Sequence, residues 1–310
     1  KNNYSDHAYY FVTIGGEGKR LGEISSTTLP PSDVVSTYAD FILYENDIFN
    51  LIKSGRYWVG ERMDASSNQV NLPTYTISDF DSVNQSFIRY RRVTKASVAS
   101  GYKVSVNGIT VSNPVDSGLN NQYEYAKTGT EVKTFFLKSP ELNVNFTYNL
   151  PNSTAQGWLD WVELNVSKKL IFRGGQLKFA DPKSVGKSHI SQFRIENTTS
   201  SVEIWDVTNP ESAKHVNTTF TGGLSVFTVP SDTLKRYVAF DRSAFRKTTF
   251  IEKVANQNIH AITSVDMLIV TPDIFLAEAE RLANHHRSFD NMQVQVVTLD
   301  DIYNEFSSGS

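Results

Sequence analysis

A chain of 310 residues with no cysteine holds no disulfide framework, no Cys-ligated zinc and no thiol nucleophile, yet it is long enough to bury a sizeable core in about two domains. Its 30 Lys+Arg against 33 Asp+Glu leave a formal net charge of -3, which argues against a general attraction to nucleic acid or anionic membrane. Aromatic residues reach 12% and charged residues only 20%; that mixture suits many short strands, and no apolar run reaches the roughly 18 residues of a membrane-spanning helix.

Lys1-Asn2-Asn3 opens on polar residues rather than on a secretory leader. A first strand is expected at Tyr10–Ile14, followed by Gly15-Gly16-Glu17-Gly18-Lys19-Arg20. Those glycines lack the Gly-Lys-Ser/Thr ending and the following helix of a phosphate loop, so a hairpin turn is the reading. Ile48, Leu51 and Ile52 are spaced i, i+3, i+4, and Gly55 sits where a helix-ending glycine would, which predicts one short helix. Tyr57-Trp58, just before Gly60-Glu61, is an aromatic pair that could pack or bind, and Trp58 is a candidate ligand contact. Asp79-Phe80-Asp81 and Asp300-Asp301 lack the spaced oxygens of a calcium loop and read as solvated turn acids.

Strand patterns then dominate. Arg89 and Arg91 share a strand face with Phe87, and Arg92 falls on the other; a face paired with acids is expected. Tyr102, Val104 and Val106 alternate with polar residues, and Asn107-Gly108 supplies the two positive-φ positions of a hairpin turn before Ile109 and Val111. Glu131–Leu137 is a further strand, and Leu142, Val144, Phe146, Tyr148 and Leu150 alternate cleanly with polar neighbours. Trp158-Leu159-Asp160-Trp161 is the strongest binding candidate, since indoles beside a carboxylate can stack on a sugar or grip an extended peptide. Trp158 and Trp161 are three apart, so in a regular strand they face opposite sides and at least one belongs to the core. Val162, Leu164 and Val166 continue the alternation, and Gln192–Glu196, Ser201–Val207, Ser225–Val229 and Tyr237–Phe240 complete the strand set.

The pattern changes near Ser264. Val265-Asp266-Met267-Leu268-Ile269-Val270 reads as a buried strand, and Thr271-Pro272-Asp273 as a helix start. Phe275, Ala279, Leu282 and His286 follow at helical spacing, and Val294, Val296, Val297 and Leu299 form a second strand. Strand, helix, strand is a βαβ unit, which requires a parallel sheet with covered faces. One such unit cannot cover both faces, so the chain is expected to stop just inside an α/β domain. His285 and His286 are adjacent and point to different helix faces, which does not suit a shared metal.

Asp266-Met267-Leu268-Ile269-Val270-Thr271-Pro272, the helix end Leu282-Ala283-Asn284-His285-His286, and Val294-Gln295-Val296-Val297-Thr298 through Ile302-Tyr303-Asn304-Glu305-Phe306-Ser307-Ser308-Gly309 resemble the opening of a gingipain-type (C25 family) cysteine peptidase domain. Asn256-Gln257-Asn258-Ile259-His260-Ala261 is similar to the segment leading into it. Upstream, Gly55-Arg56-Tyr57-Trp58-Val59-Gly60-Glu61-Arg62 and Ile204-Trp205-Asp206-Val207-Thr208-Asn209-Pro210 resemble the N-terminal region of PorU-type surface sortases of the bacterial type IX secretion system. Two turns depart from the pattern: Pro272-Asp273 stands where many relatives place His-Pro, and Asp290-Asn291 where glycine is common. The family works through a cysteine nucleophile and a histidine base. The resemblance places both beyond these residues, and none of His7, His189, His215, His260, His285 or His286 matches the catalytic motif.

The expected fold class is mainly β: β-sandwich regions of jelly-roll or Ig-like type, followed by a short, truncated βαβ segment. The expected organisation is a β-rich region with a short helix over 1–80, the main sandwich over 81–185, a smaller β region over 186–264, and the opening of a peptidase domain over 265–310. The resemblance implies a non-catalytic accessory region of a surface cysteine peptidase-sortase, on the outer membrane exterior of a Gram-negative bacterium. Its implied partners are the catalytic C25 domain of the same polypeptide, secretion-system proteins and the C-terminal domains of cargo. No catalytic residue, metal or cofactor is expected within the chain; Trp58, Trp158, Asp160 and Trp161 are the candidate ligand contacts. Self-association through the βαβ segment is a further expectation. The alternative is a carbohydrate- or protein-binding adhesin module.

Overall fold

The computed structural model describes residues 7, 9–53, 55, 57–121, 123–245, 247–307 and 309. Arg56 and Ser308 of the motifs quoted above, and Lys1-Asn2-Asn3, lie outside the described residues. The chain is mainly β and divides into two compact units, Arg20–Arg246 and Lys1–Lys19 with Lys247–Ser310.

Within Arg20–Arg246 the strands sort into two sandwiches. In the first, one antiparallel sheet runs Lys127–Phe135, Ser86–Lys95, Gln156–Lys169, Thr37–Glu45, with Arg62–Met63 also paired to Gln156–Lys169. The facing sheet runs Val115–Asp116, Ser100–Val106, Val144–Asn149, Gln69–Asn71, and Ile109–Ser112 pairs with Ser100–Val106. Alternation builds the core. Ile88, Tyr90, Val162, Leu164 and Val166 enter it from the first sheet, and Val104, Val106, Val144, Phe146 and Tyr148 from the second. Each such side chain contributes about 1.5–3 kcal/mol through burial. Asn107 and Gly108 take φ of 47° and 79°, the turn that joins Ser100–Val106 to Ile109–Ser112 with the right twist.

The second sandwich sets Gly22–Ile24, Lys214–Val216, Glu203–Asp206, Tyr237–Phe240 and Gln176–Phe179 against Thr219–Thr221, Leu224–Pro230, Ile190–Glu196 and Asp33–Val35. Phe179, Phe193, Phe227 and Tyr237 form its aromatic centre, with Phe193 stacked on Phe227 at 4.9 Å between centroids. The smaller β region expected over 186–264 therefore also draws on strands from residues 22–35 and 176–179. The chain crosses between the two cores: Val35 and Tyr38 belong to the second, while Ile42 and Tyr44 pack on the first. Likewise Val162, Leu164 and Val166 lead into Leu170 and Phe172.

Two local expectations are corrected. Ile48–Ile52 is not a helix: Leu51 and Ile52 lie in a turn, and Phe49 forms a bridge with Val59. Three apolar residues over barely one turn cannot meet the cost of helix nucleation, and Leu51 instead packs beside Val59 and Trp158. Tyr10–Ile14 is not a strand either; it runs exposed into a bend at Gly15 and Gly16, whose φ are 116° and 72°.

In the other unit, Met267–Thr271 and Val294–Thr298 pair in parallel, joined by the helix Leu276–Phe289. Ala279 and Ala283, one helical turn apart, let the helix sit close on Met267, Ile269, Val294 and Val296. Leu268 and Val270, on the alternate face of the first strand, stay 50% and 47% exposed. Thr298 caps the final helix Leu299–Phe306: its hydroxyl accepts from the Asp301 backbone amide, and the Asp301 carboxylate accepts in return from the Thr298 amide. Glu305 then fastens the preceding segment. It accepts from the backbone amides of Ile259 and His260 at 2.8 and 2.7 Å, from Gln257 Nε2 at 3.1 Å, and bonds the His260 ring. Desolvation works to raise its carboxyl, but these donors outweigh it and hold the group at about 2. Among the described residues no helix is long and apolar enough to cross a membrane.

Candidate functional site

The tryptophan cluster depends on a β-bulge. Trp158 lies opposite Val93 and Trp161 opposite Arg91, with the register shifting between Leu159 and Trp161. Val93 and Arg91 are two apart on one strand and share a face. The extra residue therefore brings Trp158 and Trp161 to the same outer face of the sheet, which corrects the expectation of opposite sides. Leu159 and Val162 keep their places in the sandwich core.

The two indoles have different surroundings. Trp158 is 3% exposed and packs with Val59 and Val93, flanked by Leu51, Tyr57 and Ala126. Its indole N–H is buried without a hydrogen-bond partner. Trp161 is half-buried beneath the Arg89 guanidinium, 5.0 Å from its ring, and Arg89 also donates to Glu163 at 3.1 Å. Trp58 lies apart from this cluster's interior, 41% exposed, because its neighbours Tyr57 and Val59 turn inward.

Asp160 sits in the bulge, 7% exposed. Arg91 faces it at 3.3 Å, and the Tyr57 hydroxyl donates to it at 3.4 Å. The Arg91 guanidinium also lies 5.0 Å over the Tyr57 ring. Burial pushes the Asp160 carboxyl above the usual aspartate range against the pull of Arg91, and burial together with the Asp160 charge raises the Tyr57 phenol. Gly60 explains how the loop carrying Tyr57 and Trp58 docks here. Its amide donates to the Leu159 carbonyl at 2.7 Å, and a Cβ at this position would lie 2.8 Å from that same oxygen. Only a residue without a side chain allows so close an approach. Nearby, Glu61 accepts from the Tyr44 hydroxyl and from Asn46, at 2.5 and 2.6 Å.

The arrangement brings together Trp158, Asp160, Trp161 and Tyr57, and leaves Trp58 at its rim. Chemically it is a fastening: a buried acid paired with one arginine and hydrogen-bonded by one phenol. Among the described residues no group of three His, Asp or Glu is placed to hold a metal ion. Sequence reading noted Tyr57 and Arg91 separately but not their meeting at Asp160, because the loop and the strand are far apart in the chain. It also missed Asp116, which accepts from buried Arg92 at 3.0 and 2.6 Å and from the Thr94 hydroxyl at 2.7 Å. No local pattern signals that partnership, since Asp116 reaches Arg92 only through the short strand Val115–Asp116 beside Ser100–Val106.

Comparison with known proteins places these features. Residues 260–310 match the model of peptidase family C25. The crystal structure of dimeric latent PorU from Porphyromonas gingivalis has the same fold, with a TM-score of 0.82 and 21% identity over 94% of this chain and 28% of that one. The present chain thus spans little more than a quarter of that protein's length. A carbohydrate-binding module, CBM36 in complex with calcium and xylotriose, aligns over 42% of this chain and 99% of its own at a TM-score of 0.27 and 12% identity. The insecticidal delta-endotoxin Cry8Ea1 from Bacillus thuringiensis aligns over 32% and 17%, at a TM-score of 0.24 and 17% identity. No curated protein matches the chain. The chain is PorU-like in fold over nearly its whole length and gingipain-like in sequence where the βαβ unit begins.

Proposed function

We propose that this PorU-like chain is the accessory region of a surface cysteine peptidase-sortase of a type IX secretion system, and that its last residues open the catalytic domain. What supports the reading is the βαβ unit and the face of it left partly exposed. Residues 260–310 match the C25 model, and the parallel pair Met267–Thr271 and Val294–Thr298 is covered by a helix on one face while Leu268 and Val270 stand half exposed on the first strand's other side. Parallel sheets are stable when both faces are covered, so the natural occupant of that face is the rest of an α/β domain in the same polypeptide. That remainder would carry the cysteine and histidine.

In this reading the two sandwiches position the catalytic domain, and their outer surfaces dock secretion-system proteins and cargo. The outer face of the sheet containing Thr37–Glu45 suits such a role: Phe41, Leu43 and Val132 are exposed there, beside Arg89 and Glu163. Exposed apolar residues grouped on one sheet face mark interaction surfaces more often than isolated ones do.

The test is a peptidase assay on two proteins, the full gene product and the 310-residue chain, with and without iodoacetamide. The expected result is hydrolysis by the gene product alone, abolished by the alkylating agent. Specific cleavage by the 310-residue chain, or activity indifferent to iodoacetamide, would overturn the proposal.

A further inference from the structure

The segment ahead of the strand Gly22–Ile24 has the wrong composition for a loose one. Tyr9-Tyr10-Phe11-Val12-Thr13-Ile14 carries no charge and no proline, and consists of aromatic and β-branched residues. Such a run pairs or packs readily, and left in water it invites aggregation. Segments that stay loose are usually polar and charged. Yet none of these residues belongs to a strand, and all five of the large side chains meet solvent. Their exposure alternates, as along an extended chain. Tyr9 and Phe11 are 37% and 49% exposed, whereas Tyr10, Val12 and Ile14 are 77%, 89% and 103%.

This arm belongs with the βαβ unit rather than with the sandwiches that follow it in sequence: Lys1–Lys19 groups with Lys247–Ser310. One contact shows where it rests. Gly309 follows the helix Leu299–Phe306 with a φ of 87°, and its amide donates to the Tyr303 carbonyl at 2.7 Å. The Tyr9 side chain lies across it, since a Cβ at Gly309 would be 3.3 Å from Tyr9 Cβ and Cγ. Gly309 therefore serves twice, as the residue that tolerates positive φ and as a flat floor for Tyr9. It also lies within residues 260–310, the stretch that matches the C25 model.

Tyr9, on the arm's less exposed side, thus already rests on the opening of the peptidase domain. In the peptidase-sortase reading the polypeptide continues from this same point. The more exposed side, Tyr10, Val12 and Ile14, is uncharged and wholly apolar. Such a face suits permanent burial more than a reversible encounter, whose surfaces mix apolar and polar groups. We propose that Tyr9–Ile14 is a strap of the peptidase domain, with Tyr10, Val12 and Ile14 buried against residues that follow Ser310. This rests on the peptidase-sortase reading and adds a second attachment to it. The unit Arg20–Arg246 is then tied to the peptidase domain at both of its ends rather than at one.

The experiment is maleimide labelling of Val12→Cys, followed peptide by peptide in the 310-residue chain and in the full gene product, each at two protein concentrations. Labelling in the full product should be slower by more than about tenfold. The triple substitution Tyr10→Ser, Val12→Ser, Ile14→Ser supplies a second measurement. Those side chains meet solvent in the 310-residue chain, so its melting temperature should hold, while that of the full product should fall by roughly 5 °C or more. Val270→Cys in the same two proteins separates this inference from the reading beneath it. Val270→Cys protected in the full product, with Val12→Cys labelled equally fast in both proteins, would overturn the strap alone. Equal rates at both positions would overturn the reading and the strap with it. Protection of Val12→Cys that is lost on dilution would assign the face to a second copy and overturn the proposal, as would a triple variant whose full product melts like the parent.

Discussion

Replacing Arg92 by methionine is expected to cost the fold about 3–5 kcal/mol, a large part of the roughly 5–15 kcal/mol that holds a typical domain together. The Arg92 side chain is 4% exposed and that of its partner Asp116 10%. The guanidinium donates to both Asp116 oxygens and lies 5.6 Å over the Tyr102 ring, whose hydroxyl in turn donates to the Val93 carbonyl. Removing the arginine strands a carboxylate in a site that water barely reaches, with Thr94 as its remaining donor among these groups. The double substitution Arg92→Met with Asp116→Leu should recover most of the loss, because an uncompensated charge is worse than no charges. Arg89→Ala provides the contrast. Arg89 is exposed and its pair with Glu163 is screened, so the change should stay below about 1 kcal/mol. Urea unfolding of the four proteins decides the matter; an Arg92→Met variant as stable as Arg89→Ala would contradict the structure's account of the buried network.

Phe193→Ala is expected to have an effect of similar size, about 3–5 kcal/mol. Phe193 is almost fully buried, stacked on Phe227 and meeting Tyr237 edge-on at 5.1 Å and Phe179 at 6.0 Å. Deleting its ring leaves a void with aromatic walls on several sides, which cannot collapse without moving all of them. The further expectation concerns cooperativity. The strand Thr37–Glu45 and the run from Val162 to Phe172 pass through both sandwich cores, so loosening the second core should also destabilise the first. Unfolding followed by tryptophan fluorescence in a Trp205→Phe background, which removes the indole on the second sandwich and leaves Trp158 and Trp161 to report the first, should therefore shift to lower urea in Phe193→Ala. An unchanged fluorescence transition, with circular dichroism alone showing a loss, would mean that the two sandwiches unfold independently.

Much of this architecture was legible where one face of a strand is buried and the other wet. Tyr102, Val104 and Val106, the Asn107-Gly108 turn, and the alternation from Leu142 to Tyr148 each carry their pairing in local pattern, and the βαβ unit announces itself by a change of period. What local pattern does not carry is pairing at a distance. Thr37–Glu45 lies beside Gln156–Lys169 across more than a hundred residues, and nothing in either segment names the other. The bulge at Asp160 is illegible for a related reason. Counting by twos sends Trp158 and Trp161 to opposite faces, and only the pairing with Arg91 and Val93 shows where the count slips. The misread helix at Ile48–Ile52 is a case of too short a pattern: its apolar residues serve a turn held by Phe49 and Val59. The candidate site was therefore legible as a list of residues but not as an arrangement, since Tyr57, Arg91 and Asp160 meet only after the loop at Gly60 has docked on the bulge.

The proposed function predicts that the half-exposed face of the βαβ unit is covered in the intact protein by the rest of a peptidase domain. Because the 310 residues contain no cysteine, a single Val270→Cys substitution reports on that face directly. Its maleimide labelling can be followed peptide by peptide in the 310-residue chain and in the full gene product. Labelling in the full product should be slower by more than about tenfold, as expected for a thiol reached only through local opening; equal rates in the two proteins would contradict the account.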